Sequence, residues 1–122
     1  MHSPRRLVPE TRRFTFQLDP EGRFVEVGAG FAVLVGPKAA DVVGRAWRDI
    51  DEEKQLDTDG HVSKALETRD TWSDVRIDWP TDFGEIARLR LSALPRFGEG
   101  RAFAGFRGFA DVVSVTPIAE PE

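Results

Sequence analysis

Cysteine is absent from this 122-residue chain, and histidine is nearly so: His2 lies at the terminus and His61 is the only internal one. Disulfides, cysteine-type zinc sites and thiol catalysis are therefore excluded, and the lack of thiols fits a reducing, cytoplasmic setting. With one internal histidine, no Ser-His-Asp set is visible. A cationic excess is missing as well: the formal net charge is −4. General nucleic-acid binding and adhesion to anionic membranes both need a cationic field, so neither is expected. No apolar run approaches the roughly 20 residues of a membrane span. The opening MHSPRRLVPETRR carries charge without an apolar core, so it is not a signal peptide. Internal repeats and low-complexity tracts are also absent.

What remains is ordinary globular composition, 40% hydrophobic and 31% charged. By length it is one domain, large enough for a core without staples. The most informative stretch is Phe97 to Val113, FGEGRAFAGFRGFADVV. Gly98 and Gly100 make a turn into a strand with apolar residues on both faces, the pattern of a central strand covered twice. Gly105 and Gly108 inside it mark a bend, a bulge or a close approach. If the strand is regular, Phe103, Phe109 and Val113 share one side, and Phe106 and Val112 share the other.

The rest of the chain flanks that strand. Phe14 to Leu18 and Arg23 to Val27 alternate with period two around the turn Asp19-Pro20-Glu21-Gly22, an antiparallel hairpin. Phe31, Leu34 and Val35 share a helical face that Gly36-Pro37 stops. Trp47 and Ile50 anchor an irregular piece, and Asp51, Glu52 and Glu53 form an acidic loop. Asp57 to Arg69 is the best helix, capped by Asp57 or Thr58, with Val62, Ala65 and Leu66 as its apolar stripe. Thr71 to Trp79 and Ile86 to Leu94 are strands, and Pro95 ends the second or sits at a bulge. From Asp111 onward the chain turns polar and proline-bearing. A hairpin, then helices, then a three-strand meander gives one antiparallel sheet with helices on one face, an α+β fold.

That order, with RFxxxLDPEGRF at Arg13 to Phe24, resembles a PAS domain. RDTWS (Arg69–Ser73), DWP (Asp78–Pro80), LSALPRF (Leu91–Phe97) and FAGFRGF (Phe103–Phe109) are similar to the PAS modules of alphaproteobacterial cell-cycle sensor histidine kinases of the PleC, DivJ and PdhS type. The resemblance implies a five-stranded sheet of order 2-1-5-4-3 and a dimeric, cytoplasmic sensory module joined to a kinase core that this chain lacks. The module spans 14–113, after an N-terminal arm or lead-in helix at 1–13 and before a tail or linker at 114–122. Many family members end in Gly, three residues, then Asp-Ile-Thr; here Gly108 is followed by two residues and Asp111-Val-Val. The family's terminal Asp couples the sheet to a downstream helix, and the resemblance gives that role to Asp111.

Chemistry-bearing residues are sparse. Some PAS domains bind haem through a helix histidine, which makes His61 the candidate; against it, His61 sits at the border of the Val62-Ala65-Leu66 stripe, among Asp57, Asp59 and Gly60, as a surface helix-start histidine would. Cysteinyl photochemistry is excluded, and Trp47, Trp72 and Trp79 are core or interface filler rather than a flavin platform. The acids at 49–53 lack calcium-loop spacing, and Asp57-Thr58-Asp59-Gly60 has Thr68 where a calcium loop needs Glu. No cofactor and no metal are expected. Phe14, Phe16, Phe24, Phe31 and Phe106 fill the core themselves.

Two functions follow. In the first, the chain is a sensory and dimerisation module: the sheet face and N-terminal arm form a homodimer, Phe103, Phe109, Asp111 and Val113 carry contact and signal transfer, and response regulators are among the partners. In the second, it is a small α+β enzyme or ligand carrier with a cone-shaped pocket, which requires a buried polar dyad.

Overall fold

The computed structural model describes residues 12–57 and 59–118. Residues 1–11 of the arm expected at 1–13, Thr58 and the last four residues lie outside the described residues, and Arg13 already belongs to the first strand. Five strands form one antiparallel sheet: β1 (Arg13–Leu18), β2 (Phe24–Val27), β3 (Trp72–Pro80), β4 (Glu85–Phe97) and β5 (Phe103–Pro117). Their spatial order is β2-β1-β5-β4-β3, the PAS topology, with β5 at the centre. Helices α1 (Gly30–Val35), α2 (Trp47–Lys54) and α3 (His61–Thr68) connect β2 to β3.

The β1–β2 turn forms because the Asp19 carboxylate accepts the amides of Glu21 and Arg23, both at 2.9 Å, while Gly22 takes φ +80°. Alternation then decides which side chains go inward. Phe14, Phe16 and Leu18 of β1, Ile77 and Trp79 of β3, Ala87, Leu89 and Leu91 of β4, and Phe106 and Ala110 of β5 are buried beneath Phe31, Leu34, Trp47, Ile50 and Val62 of the helices. Aromatic rings knit this layer: Phe31 lies 4.7 Å from Phe14 and 5.1 Å from Trp79.

Backbone hydrogen bonds to three carboxylates hold the helical layer in place. Asp57, which is buried, accepts the amides of His61 (2.9 Å), Val62 (2.8 Å) and Ser63 (3.3 Å), and its own amide goes to the Asp51 carboxylate at 2.7 Å. The cap expected from Asp57 is therefore real, but the helix it caps begins four residues later than expected, at His61. Asp82 accepts the amides of Lys38 (2.7 Å) and Ala39 (3.0 Å), tying the turn after α1 to the β3–β4 connection. Gly36 must be glycine there: its φ is +95°, and an added Cβ would fall 2.4 Å from the Asp82 carboxylate.

Three expectations about elements change. The acids at 51–53 do not form a loop; they continue α2, where Asp49 suits the first turn, Lys54 suits the last, and Trp47 and Ile50 bury one stripe. Pro95 does not end β4, which runs on to Phe97 with Pro95 opposite Phe106. Its partner β3 stops at the Trp72–Ala93 pair, so at Pro95 the strand has a neighbour on one side only, where a missing amide is tolerated. Finally, β5 does not fray after Asp111: it continues to Pro117, paired with β4 as far as Glu85, so 114–117 belong to the sheet rather than to a tail.

Candidate signalling face of the sheet

The central strand β5 has two different faces. Inward, Phe106 and Ala110 are buried and Val112 packs against the core. Outward, Arg107, Phe109 and Asp111 alternate with them. Register places Thr15 and Ser92 on either side of Phe109, and Arg13 and Arg90 on either side of Asp111. The outer side of β5 here is thus polar and charged with Phe109 near its middle, not the second apolar face expected from the strand's residue pattern.

Phe103 departs from its expected place. The register shifts between Arg96 and Phe97, so Ala104 is skipped, and Gly105 bends the strand at φ +114°. An added Cβ at Gly105 would lie 1.9 Å from the Leu18 carbonyl oxygen, so only glycine permits that approach of β5 to the end of β1. The bulge turns Phe103 to the helical side, where its ring stands 5.4 Å from Phe106 and the Arg69 guanidinium sits over it at 4.6 Å. Phe103 therefore does not share a face with Phe109 and Val113. Val113 occupies a second irregularity, between the Leu89–Val112 and Arg88–Ser114 pairs, and is 48% exposed.

Asp111 also has a different setting from the one its resemblance implied. It lies six residues inside β5 rather than at its end. Its carboxylate accepts a hydrogen bond from Arg13 Nε at 2.7 Å, and the same guanidinium stacks 4.3 Å from the centre of the Phe109 ring. The next amide, Val112, donates to the Arg12 carbonyl at 2.9 Å. Asp111 and Phe109 thus clamp the beginning of β1 onto the middle of the sheet. Within the described residues, the Asp111 carboxylate links the sheet to the N-terminal side of the domain through Arg13.

His61 is on the surface. Its side chain is 64% exposed, with Nε2 3.6 Å from the Asp59 carboxylate, and it faces no apolar cavity. The space between helices and sheet is closed by Phe14, Phe16, Phe24, Phe31, Trp79 and neighbouring leucines, leaving a wholly apolar void of about 20 Å³. That volume approximates a single water and offers no polar group to hold one. The buried dyad that an enzyme or carrier would need is not found there. Among the described residues no three His, Asp or Glu side chains converge as a metal site. No helix among them is long and apolar enough to cross a membrane.

Sequence reasoning missed the arginines of the outer face. Arg88 pairs with Asp78 at 3.0 Å, and Arg96 donates to the Gln17 amide oxygen at 2.9 Å. Arg76 and Arg90 stand directly opposite each other on β3 and β4. The alternation of both strands was visible in the sequence, but only the register brings the two cations together.

No family model matches the chain. Curated relatives do. It is 42% identical over 114 residues to the cell-division control histidine kinase PdhS of Brucella melitensis, covering 90% of this chain and 11% of that protein. The PdhS kinase of Brucella anthropi is 39% identical over 111 residues, 90% of this chain and 10% of the relative. That of Brucella suis is 41% identical over 114 residues, with the same 90% and 11% coverage. The chain therefore spans about a tenth of the length of the curated relatives it matches. The resemblance to modules of cell-cycle sensor histidine kinases is borne out, and the chain corresponds to one segment of such kinases.

Proposed function

We propose that this chain, similar over most of its length to one segment of the PdhS cell-division control histidine kinases, is their kind of PAS sensory and dimerisation module. In this reading it performs no catalysis itself. Ligand or partner binding biases its arrangement, and the change is relayed to a kinase core elsewhere in a parent protein. The observation that carries the proposal is the joint one: the 2-1-5-4-3 sheet and the identity of about two residues in five with those kinases. The module acts in the cytoplasm, as a homodimer built from the sheet face and the N-terminal arm, with a response regulator among its kinase's partners. The clamp of Arg13 on Phe109 and Asp111 supports this arrangement, because it fixes the root of that arm on the outer face. Phe109, Asp111 and Val113 are the contact and relay residues; Phe103 acts from the helical side.

Light scattering on the purified chain tests the assembly. A dimer is expected, and Asp111→Ala together with Phe109→Ala shifts it toward monomer. A clean monomer at high concentration overturns the dimeric part of the proposal. Exchange of this segment for a Gly/Ser linker in a full-length PdhS kinase tests the relay: autophosphorylation is expected to persist but to lose its regulation, and unchanged regulation counts against a sensory role.

A further inference from the structure

Three outer-face arginines, Arg76, Arg90 and Arg107, form no ion pair among the described residues, although Arg90 stands across from Asp111. Arg76 and Arg90 are cross-strand neighbours, and like charges directly opposite each other destabilise a sheet. Two carboxylates of this face are already engaged, Asp78 by Arg88 and Asp111 by Arg13, while Asp74 lies at the rim of the groove described next. Arg107 sits one strand across, in register with Leu94. A groove of about 410 Å³ opens beside it, walled by Trp72, Ser92, Leu94, Arg107 and Phe109. Leu94 is 60% exposed, an apolar side chain left in solvent at the groove. This local excess of cations runs against a chain whose net charge is −4. The acids concentrate instead in the helical layer, at Asp49, Asp51, Glu52 and Glu53 of α2.

We propose that the β3–β4–β5 half of the outer face docks an acidic segment of a partner protein. Its carboxylates meet Arg76, Arg90 and Arg107, and an apolar side chain enters the groove against Leu94. The proposal rests on the outer face being a contact surface, but not on homodimerisation, which uses the Arg13 side of the same face. Charge selects this occupant. A second copy laid on the β3–β4 half brings the same three unneutralised guanidinium groups with it. A nucleic acid is repelled by the rest of the molecule, whereas a short acidic segment touches only the cationic half. The unfavourable Arg76–Arg90 pair is then explained as a site whose repulsion is relieved when it is occupied.

The test is fluorescence anisotropy with a labelled peptide of repeating Glu-Glu-Leu, beside the same peptide with Gln in place of Glu, with light scattering on the same samples. The acidic peptide is expected to bind, the Gln peptide not, and binding is expected to weaken as salt rises from about 50 to about 200 mM. Arg76→Gln with Arg90→Gln lowers affinity by about tenfold or more, and Arg107→Gln alone lowers it several-fold. Lys38→Gln, an exposed cation on the helical side, leaves it unchanged. Thermal melts confirm that each variant is folded. No binding of the acidic peptide, equal binding of the Gln peptide, undiminished affinity in the double variant, or equal loss with Lys38→Gln overturns the proposal. If the double variant dissociates a dimer while the wild-type chain ignores the peptide, this half belongs to a second copy: the acidic-segment proposal falls and the dimeric module stands. If the peptide binds and the chain is monomeric throughout, the opposite holds.

Discussion

The inner and outer faces of the sheet are made by the same five strands, one residue apart, yet they solve different problems. Inside, every position answers to volume: Phe106 at 1% exposure and Ala110 at 0% leave no freedom, and the residual void is about the size of one water. Outside, positions answer to charge: Arg13 pairs with Asp111 and Arg88 with Asp78, whereas Arg76, Arg90 and Arg107 form no ion pair among the described residues. Stability therefore resides on one side of β5 and recognition on the other, with the polypeptide between them as a partition.

Substitutions that break this contrast differ in size. The largest effect is expected from Phe106→Ala, which removes a buried ring and costs about 3–5 kcal/mol in chemical denaturation, whereas Phe109→Ala, three residues on, costs about 1 kcal/mol. Equal losses would mean that the outer face is also core. Next is Asp57→Ala. It leaves three amides at the start of α3 without their acceptor and is expected to cost about 2 kcal/mol, with hydrogen exchange accelerated at His61 to Ser63. Arg76→Glu runs in the other direction: it turns a like-charge cross-strand pair into an opposite-charge one and is expected to stabilise the fold by about 0.5 kcal/mol while removing acidic-segment binding. A gain in melting temperature that coincides with a loss of binding is the signature of a face kept for contact.

The smallest effect is acidic. A hydrogen bond from Arg45, and then its charge, hold Glu53 below its ordinary value of 4.5. A depressed carboxylate contributes stability above its unfolded value and loses it as pH falls through the folded one. Between Glu53 and Glu53→Gln, the difference in melting temperature is expected to be present at neutral pH and to shrink progressively as the pH falls below 4.5.

Much of this architecture was legible in the sequence because it depends on alternation and turn chemistry. The Asp19–Gly22 turn, the core phenylalanines and the inward set of β3 and β4 follow from period-two patterning. Residue order within β5 was less legible, since two irregularities break its period. A skipped Ala104 beside Gly105 moves Phe103 to the other face, and the offset at Val113 lets Val112 and Val115 both point toward the core. The pair of glycines signalled that something would bend, but not which side chains would change sides. The continuation of β5 to Pro117 was hidden by its polar composition, because β4 supplies its backbone partner. The arginine cluster was hidden for a simpler reason: Arg76, Arg90 and Arg107 lie on three strands, and contact between them exists only once register is fixed.

The clamp at Arg13 and Asp111 also sets how the domain responds to force. β1 and β5 are antiparallel neighbours, and the chain enters β1 and leaves β5 at the same pole of the sheet. Tension between those two exits loads the ladder one rung at a time, as a zip is opened, instead of shearing all rungs together. On the β1 side the first rungs to bear it are the Arg12 carbonyl with the Val112 amide and the Arg13 guanidinium with Asp111; on the β5 side they are the pairs of residues 114–117 with β4. A tug on the segment before β1 is therefore felt at the clamp before it reaches the aromatic interior.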